Sequence, residues 1–164
     1  MCAQEIVRVG RIMVATDRSE SADYAVAWAA AMAERFAAEL WLLQVIVPQN
    51  PAGTQAGQAE ATRASYAADD LMRFSEELAG ERGRAKVVVD EDPADAIVEA
   101  AETEEVDVLV VGNLGMSGRK EFLLGNVPNR VSHNARCTVV IVNSSERPDE
   151  SGGSRLGRLF RRDG

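Results

Sequence analysis

Five short, almost wholly apolar runs, separated by stretches whose apolar residues recur every three or four positions, constrain this chain most tightly. The runs are Arg11–Thr16, Leu40–Val47, Ala85–Val89, Asp107–Val111 and Cys137–Val142. Runs this short and continuous mark strands buried on both faces. Helices placed between such strands carry the chain back over the sheet, so that each strand enters in the same direction as the last. The expected fold is therefore α/β, a single domain built on a doubly wound, five-stranded parallel sheet with helices on both faces.

The intervening stretches fill in that plan. From about Ser19 to Ala38, Ala22, Val26, Ala29, Ala33 and Phe36 share one side of a helix. Asp17, Arg18 and Ser19 ahead of it predict a turn and a helix cap. Pro48 ends the second run, and residues 48–58, with two prolines, two glycines and four amide side chains, read as a mobile connection, a lid or a linker. A second helix is expected over about Glu60 to Glu81, with Ala64, Ala67, Leu71, Phe74 and Leu78 inward and Gly80 and Gly83 marking its end. Asp92 and Pro93 form a cap and first-turn pair that opens a third helix to about Glu104, with Ile97 and Ala101 inward. A short helix near Val127 to Ala135 precedes the last run. From Ser144 the composition turns to Ser, Gly, Pro and charge. The chain thus divides into a lead-in over 1–9, one domain over 10–143 and a flexible basic tail over 144–164.

Composition narrows the function. A chain of 164 residues can bury one core. Its net charge of −8 argues against a general hold on nucleic acid or anionic lipid. The last 14 residues run the other way, with four arginines against one aspartate, but Gly157 and the shortness of the stretch favour a tail without membrane contact. No apolar run reaches the roughly 18 residues of a membrane span, and the first ten residues lack the pattern of a signal peptide, so a cytoplasmic location is expected. Cys2 and Cys137 are the only thiols and His133 the only imidazole. That excludes a disulfide framework and any site needing two histidines; Cys137 reads as a core residue and His133 as a helix-end residue.

In an open parallel sheet, ligands bind beyond the carboxyl ends of the strands, where the strand order reverses. Asp17 follows the first strand; Gly112, Asn113, Leu114 and Gly115 follow the fourth; Gly125 and Asn126 stand at the start of the next helix. If the first and fourth strands are neighbours, carboxylate and glycine loop line one crevice. Glycines let backbone N–H groups approach phosphate closely, and a helix start adds unpaired donors and a favourable dipole. Asp17 serves as a polar anchor there or only caps the first helix. Five residues separate Gly112 from Gly118 and Arg119 precedes Lys120, which breaks the P-loop pattern, and no tight Gly-x-Gly follows the first strand as a dinucleotide fingerprint requires. Arg119 and Lys120 read as solvated loop charges.

The spacing Gly112-x2-Gly115-x9-Gly125, between the fourth strand and the last helix, resembles that of the universal stress protein family. So do Arg11 to Ser19, Leu43 to Val45, Asp92 to Ile97, Asp107 to Gly112 and His133 to Val142, and the resemblance spans about Gly10 to Asn143. It implies a sheet of order 3-2-1-4-5 and a homodimer formed through the last strand, Thr138, Val139, Val140, Ile141 and Val142. In the branch of the family that keeps all three glycines it implies bound ATP, with ADP or AMP as alternatives and Mg2+ as an optional companion. Carried over by position, Ala15, Thr16, Asp17 and Val45 would surround the adenosine. Val111, Gly112 and Gly115 would approach ribose and phosphates, and Gly125, Asn126 and Val127 would cradle the phosphate tail.

Two departures bear on that cradle. Asn126 stands where the family pattern has Ser or Thr, and its amide can still cap or donate. Pro128 has no N–H to offer, so the pocket holds one donor fewer, which favours a shorter nucleotide or weaker triphosphate binding. Glu91, where relatives often carry glycine, is a lesser departure. The expected function is a nucleotide-dependent stress-response regulator, a binding module and not an enzyme, since no general base sits beside an obvious nucleophile. The alternatives are a dimeric interaction module that binds no nucleotide, a phosphoacceptor receiver domain using Asp17 and Asp90, and a flavin-binding electron carrier. The receiver reading lacks the paired acid after the first strand and the lysine after the fifth that its chemistry needs.

Overall fold

Strand order is the feature of the computed structural model that decides where a ligand can go. The structure describes residues 7–48, 54–113 and 125–144. Within them, β1 (Arg11–Ala15), β2 (Glu39–Ile46), β3 (Gly83–Val89), β4 (Val108–Gly112) and β5 (Thr138–Val142) form one sheet in the order β3-β2-β1-β4-β5. Every neighbouring pair is parallel. The expected order and direction both hold, and β1 and β4 are neighbours, with Val14 beside Val110. The chain reverses its direction of growth between β1 and β4, so the carboxyl ends of those two strands frame the topological switch point.

Alternation along the strands sends side chains to two opposite cores. Ile12, Val14, Leu40, Leu42, Val108 and Val110 face one side, where α1 (Glu20–Phe36) and α2 (Thr54–Ala79) cover them. Met13, Leu43, Leu109 and Val111 face the other, against α3 (Pro93–Thr103) and α4 (Asn126–Asn134). Ala25, Val26, Ala29 and Ala33 make the buried stripe of α1, and their small side chains let the helix lie close on the sheet. Ile97 and Ala101 of α3 are buried as expected.

Four expectations need correction. Phe36 is 53% exposed, because α1 reaches its last turn there and the left-handed Ala37 swings the chain back toward β2. Helix α2 begins at Thr54, so the second half of the stretch read as a mobile connection is helical. A single glycine inside a helix costs only about 1 kcal/mol relative to alanine, and Gly57 is tolerated on that scale. Gly80, at φ 58°, ends α2 as expected, whereas Gly83 opens β3 after a 3₁₀ turn over Gly80–Arg82. A Cβ on Gly83 would stand 2.4 Å from the Ser75 carbonyl oxygen, so glycine there is a packing requirement of α2 on β3. Cys137 is half-buried at the start of β5, on the rim of the second core.

Polar contacts fasten the ends of the sheet. Asp107 Oδ2 accepts from the N–H groups of Gly10 and Arg11 at 2.7 and 2.9 Å, tying the start of β1 to that of β4. Arg82 donates to the carbonyls of Ala33 and Ala38, both at 3.0 Å, and so ties the 3₁₀ turn after α2 to the end of α1.

Candidate functional site

Beyond the carboxyl ends of β1, β2 and β4, on the face covered by α3 and α4, the structure opens a crevice. Ala15, Leu43, Val45 and Val111 form its floor. These residues alternate with those that feed the opposite core, so the same pleat that builds the α1/α2 side presents this apolar surface. Pro93 and Ile97 of α3 and Val127 and Pro128 of α4 make one wall. Thr16, Asp17, Ser19 and Ser21 give the opposite rim its polar groups.

That rim is shaped by a chain of local hydrogen bonds. The Thr16 N–H donates to the Leu43 carbonyl at 2.8 Å, prolonging the β1–β2 pairing by one residue. The Thr16 hydroxyl accepts from the Arg18 N–H at 3.0 Å, and Asp17 Oδ1 accepts from the Ser19 N–H at 2.9 Å. Ser19 is the N-cap of α1, its hydroxyl accepting from the Ala22 N–H. Asp17 therefore does not cap the helix end itself. It braces the turn and leaves its exposed carboxylate on the crevice rim. The turn carries backbone strain: Arg18 holds a φ of 62°, a left-handed conformation that costs a non-glycine residue about 1–2 kcal/mol. Stacking of the Arg18 guanidinium on Phe74, 4.3 Å from the ring centre, helps hold it there.

The far side is organised by Asn113 and by the start of α4. The Asn113 N–H donates to the Val142 carbonyl and its own carbonyl accepts from the Gly125 N–H, at 2.9 and 3.0 Å. Its side chain accepts from the Ser144 N–H and hydroxyl and donates to Asn143 Oδ1. One residue thus joins the end of β4, the end of β5 and the start of α4. Gly125 is the N-cap of α4 and Asn126 its first helical residue, so Asn126 does not act as the cap. The first bond of the helix runs from the Asn129 N–H to the Gly125 carbonyl. In such a first turn the N–H groups of Asn126 and Val127 have no partner within the helix, and Pro128 supplies none.

A guanidinium fork joins α3 to α4 beside this wall. Arg130 donates to both Asp92 oxygens at 2.9 and 2.8 Å and to Asp95 Oδ1 at 2.8 Å. Asp92 is also the N-cap of α3, accepting from the N–H groups of Ala94 and Asp95. The Arg130 hydrogen bond, reinforced by the backbone donors, holds the Asp92 carboxyl below its ordinary range, and Asp92 in turn pushes the Arg130 guanidinium up. Burial pushes the Cys137 thiol up, at the opposite end of the sheet.

Of the ten residues expected at the site, Ala15, Thr16, Asp17, Val45, Val111, Gly112 and Val127 line this one crevice. Gly125 and Asn126 stand next to it at the start of α4 and do not line it. Gly115 lies outside the described residues, as do Gly118, Arg119 and Lys120, the lead-in over 1–6 and the tail from 145 onward. Sequence reasoning missed Leu43, which the period of two from Val45 would have found. It also missed Ile97, Pro93 and Ser144, whose approach depends on how α3 and the end of β5 lie against the sheet. Asp90 follows the edge strand β3, is separated from β1 by β2, and accepts from the Asp92 N–H at 2.8 Å. It therefore forms no acid pair with Asp17. Among the described residues no group of three His, Cys, Asp or Glu side chains is placed to hold a metal ion. Among the described residues Asp17 is the one carboxylate that lines the crevice.

Comparison with known proteins gives this geometry a context. The model of the universal stress protein family matches residues 8–143. A universal stress protein of Mycobacterium tuberculosis is 47% identical over 53 residues, 32% of this chain and 36% of that protein. The chain thus spans only about a third of the length of that relative in the matched segment. A universal stress protein solved in complex with cAMP superposes with a TM-score of 0.61 at 31% identity, covering 85% of this chain and all of that one. The universal stress protein UspA from Lactobacillus plantarum superposes with a TM-score of 0.68 at 22% identity, over 83% of this chain and 99% of its own, a likeness of fold.

Proposed function

The chain belongs to the universal stress protein family, and we propose that it is a binding module for an adenine nucleotide, ATP or a shorter adenylate, held in the crevice at the carboxyl ends of β1, β2 and β4. The observation that carries this reading is the convergence of seven expected nucleotide-binding residues on one pocket at the switch point. An apolar floor of Leu43, Val45 and Val111 suits the flat face of a base, while Thr16 and Asp17 offer polar groups at its edge. Gly112 and the start of α4 are where the phosphates would lie. The structurally similar protein that holds cAMP supports an adenylate as the ligand class.

The first turn of α4 favours the shorter ligands. Pro128 removes one of the donors a helix start ordinarily offers, so charge beyond the first phosphate gains less there than at a turn with a full set. The module acts, on this reading, as a cytoplasmic nucleotide-dependent regulator in the stress response, with no catalytic step of its own. Among the described residues no helix is long and apolar enough to cross a membrane. The homodimer would form through β5, which among the described residues is an edge strand paired with β4 alone and leaves Ile141 39% exposed.

The test is to denature purified protein, identify any released nucleotide, and titrate ATP, ADP, AMP and cAMP calorimetrically into wild type and Gly125→Arg. Gly125 has a φ of −55°, open to any residue, so the arginine adds bulk beside the crevice without backbone strain. The expected result is saturable binding to wild type, weakened at least about tenfold in the variant with little loss of thermal stability. Equal binding to both would place the ligand elsewhere.

A further inference from the structure

We infer that Arg130 is a positioning residue for the crevice, holding the α3 and α4 portions of its wall together through its fork onto Asp92 and Asp95; this rests on the nucleotide-binding reading above. The wall is made by two helices that flank β4 in the chain and pack on the same core. Pro93 and Ile97 come from α3, and Val127 and Pro128 from α4. Both contributions lie in or next to the first turns of their helices, where few backbone bonds restrain them. Between them runs a continuous polar chain: the Asp90 carboxylate accepts from the Asp92 N–H, Asp92 caps α3, and Arg130 grips both Asp92 oxygens and one of Asp95.

Surface ion pairs as a class contribute little, and these side chains are 35%, 41% and 66% exposed for Arg130, Asp92 and Asp95. Two features set this one apart. The guanidinium spans two carboxylates, Nη1 donating to both Asp92 oxygens and Nη2 to Asp95 Oδ1, which fixes its direction as well as its distance. Asp92 is also held by the backbone of its own helix, so Arg130 locks onto an acceptor already in place. Ordering the wall before a ligand arrives removes that cost from binding, so loosening the fork weakens affinity even where the fold survives.

The test compares wild type, Arg130→Ala, Asp92→Asn and the double variant. Asp92→Asn keeps an oxygen to cap α3 while removing the carboxylate that Arg130 grips, which separates the fork from the cap. At a temperature where all four are folded, each single variant should bind AMP about three- to tenfold more weakly, and the double variant no more weakly than either single one. Unchanged AMP affinity in Arg130→Ala, or losses that multiply in the double variant, would overturn the inference. Amide exchange in the free proteins gives a second readout. The Asn129 N–H, bonded to the Gly125 carbonyl, should exchange faster in Arg130→Ala while the β1 and β4 amides keep their protection. If wild type binds no adenylate, the nucleotide reading fails, and exchange alone then decides the fork: unchanged protection at Asn129 refutes it.

Discussion

The two faces of the sheet are built on different terms. One carries α1 and α2, helices of 17 and 26 residues, over a core that includes Ile12, Val14, Leu40, Leu42 and Val110, all fully buried. The other carries α3 and α4, of 11 and 9 residues, over Met13, Leu43, Leu109 and Val131. Among the described residues the shorter helices leave the strand ends on that face open, and the crevice lies there. The long-helix face is a closed core, whereas the short-helix face carries the crevice at its upper end and holds its wall with an ion-pair fork. The contrast implies that damage on the two faces should separate stability from binding.

Truncation of matched leucines breaks this comparison most severely. Leu42 and Leu43 are both fully buried, adjacent in β2, and point to opposite faces. Leu42→Ala should cost about 2–5 kcal/mol in chemical denaturation, the range for buried leucines, and leave the adenylate affinity of the folded protein unchanged. Leu43→Ala should cost a similar amount and also weaken binding, because Leu43 floors the crevice. Equal effects of the two on affinity would dissolve the distinction between the faces.

A smaller effect is expected from Gly83→Ala, which pushes a methyl group into the Ser75 carbonyl on the long-helix face. A loss of about 1–3 kcal/mol, again without change in affinity, is the expected result of thermal unfolding and titration. A stability unchanged by the methyl group would mean that α2 shifts freely on β3, contrary to the tight seating described.

The smallest effect concerns acid and belongs to the short-helix face. The Asp92 carboxyl titrates below its ordinary value of 3.8, chiefly through its hydrogen bond from Arg130. Its charge therefore contributes stability above that ordinary value, and the contribution fades as pH falls through the lower folded-state value. Thermal unfolding followed from about pH 5 down to about pH 3 should accordingly drop more steeply for wild type than for Arg130→Ala. Parallel curves would show that the fork does not couple to folding.

The sheet was legible in the sequence because continuous apolar runs bounded by Pro, Gly and Asp leave few alternatives to buried parallel strands. Ala15, Val45 and Val111 of the crevice floor were legible for the same reason, as the ends of β1, β2 and β4 follow from the runs, whereas Leu43 was not. What escaped were features set by how the helices lie on the sheet. Gly57 and the amide side chains of Gln55 and Gln58, following Pro51 and Gly53, obscured the true start of α2 at Thr54. Gly83 reads as a terminator until the Ser75 carbonyl is seen 2.4 Å from where its Cβ would stand. Arg130, 35 or more residues from Asp92 and Asp95 in sequence, gave no local signal at all. Asn126 looked like a cap, but the chain turns into the helix one residue earlier, at Gly125.

The most direct measurement is a crystal structure of the protein grown with AMP or ATP. The account predicts adenylate density over Val45 and Leu43, with Asp17 at its edge and its phosphate toward Gly112 and Val127. Ordered solvent alone in that crevice, at ligand concentrations that saturate the protein in solution, would contradict it.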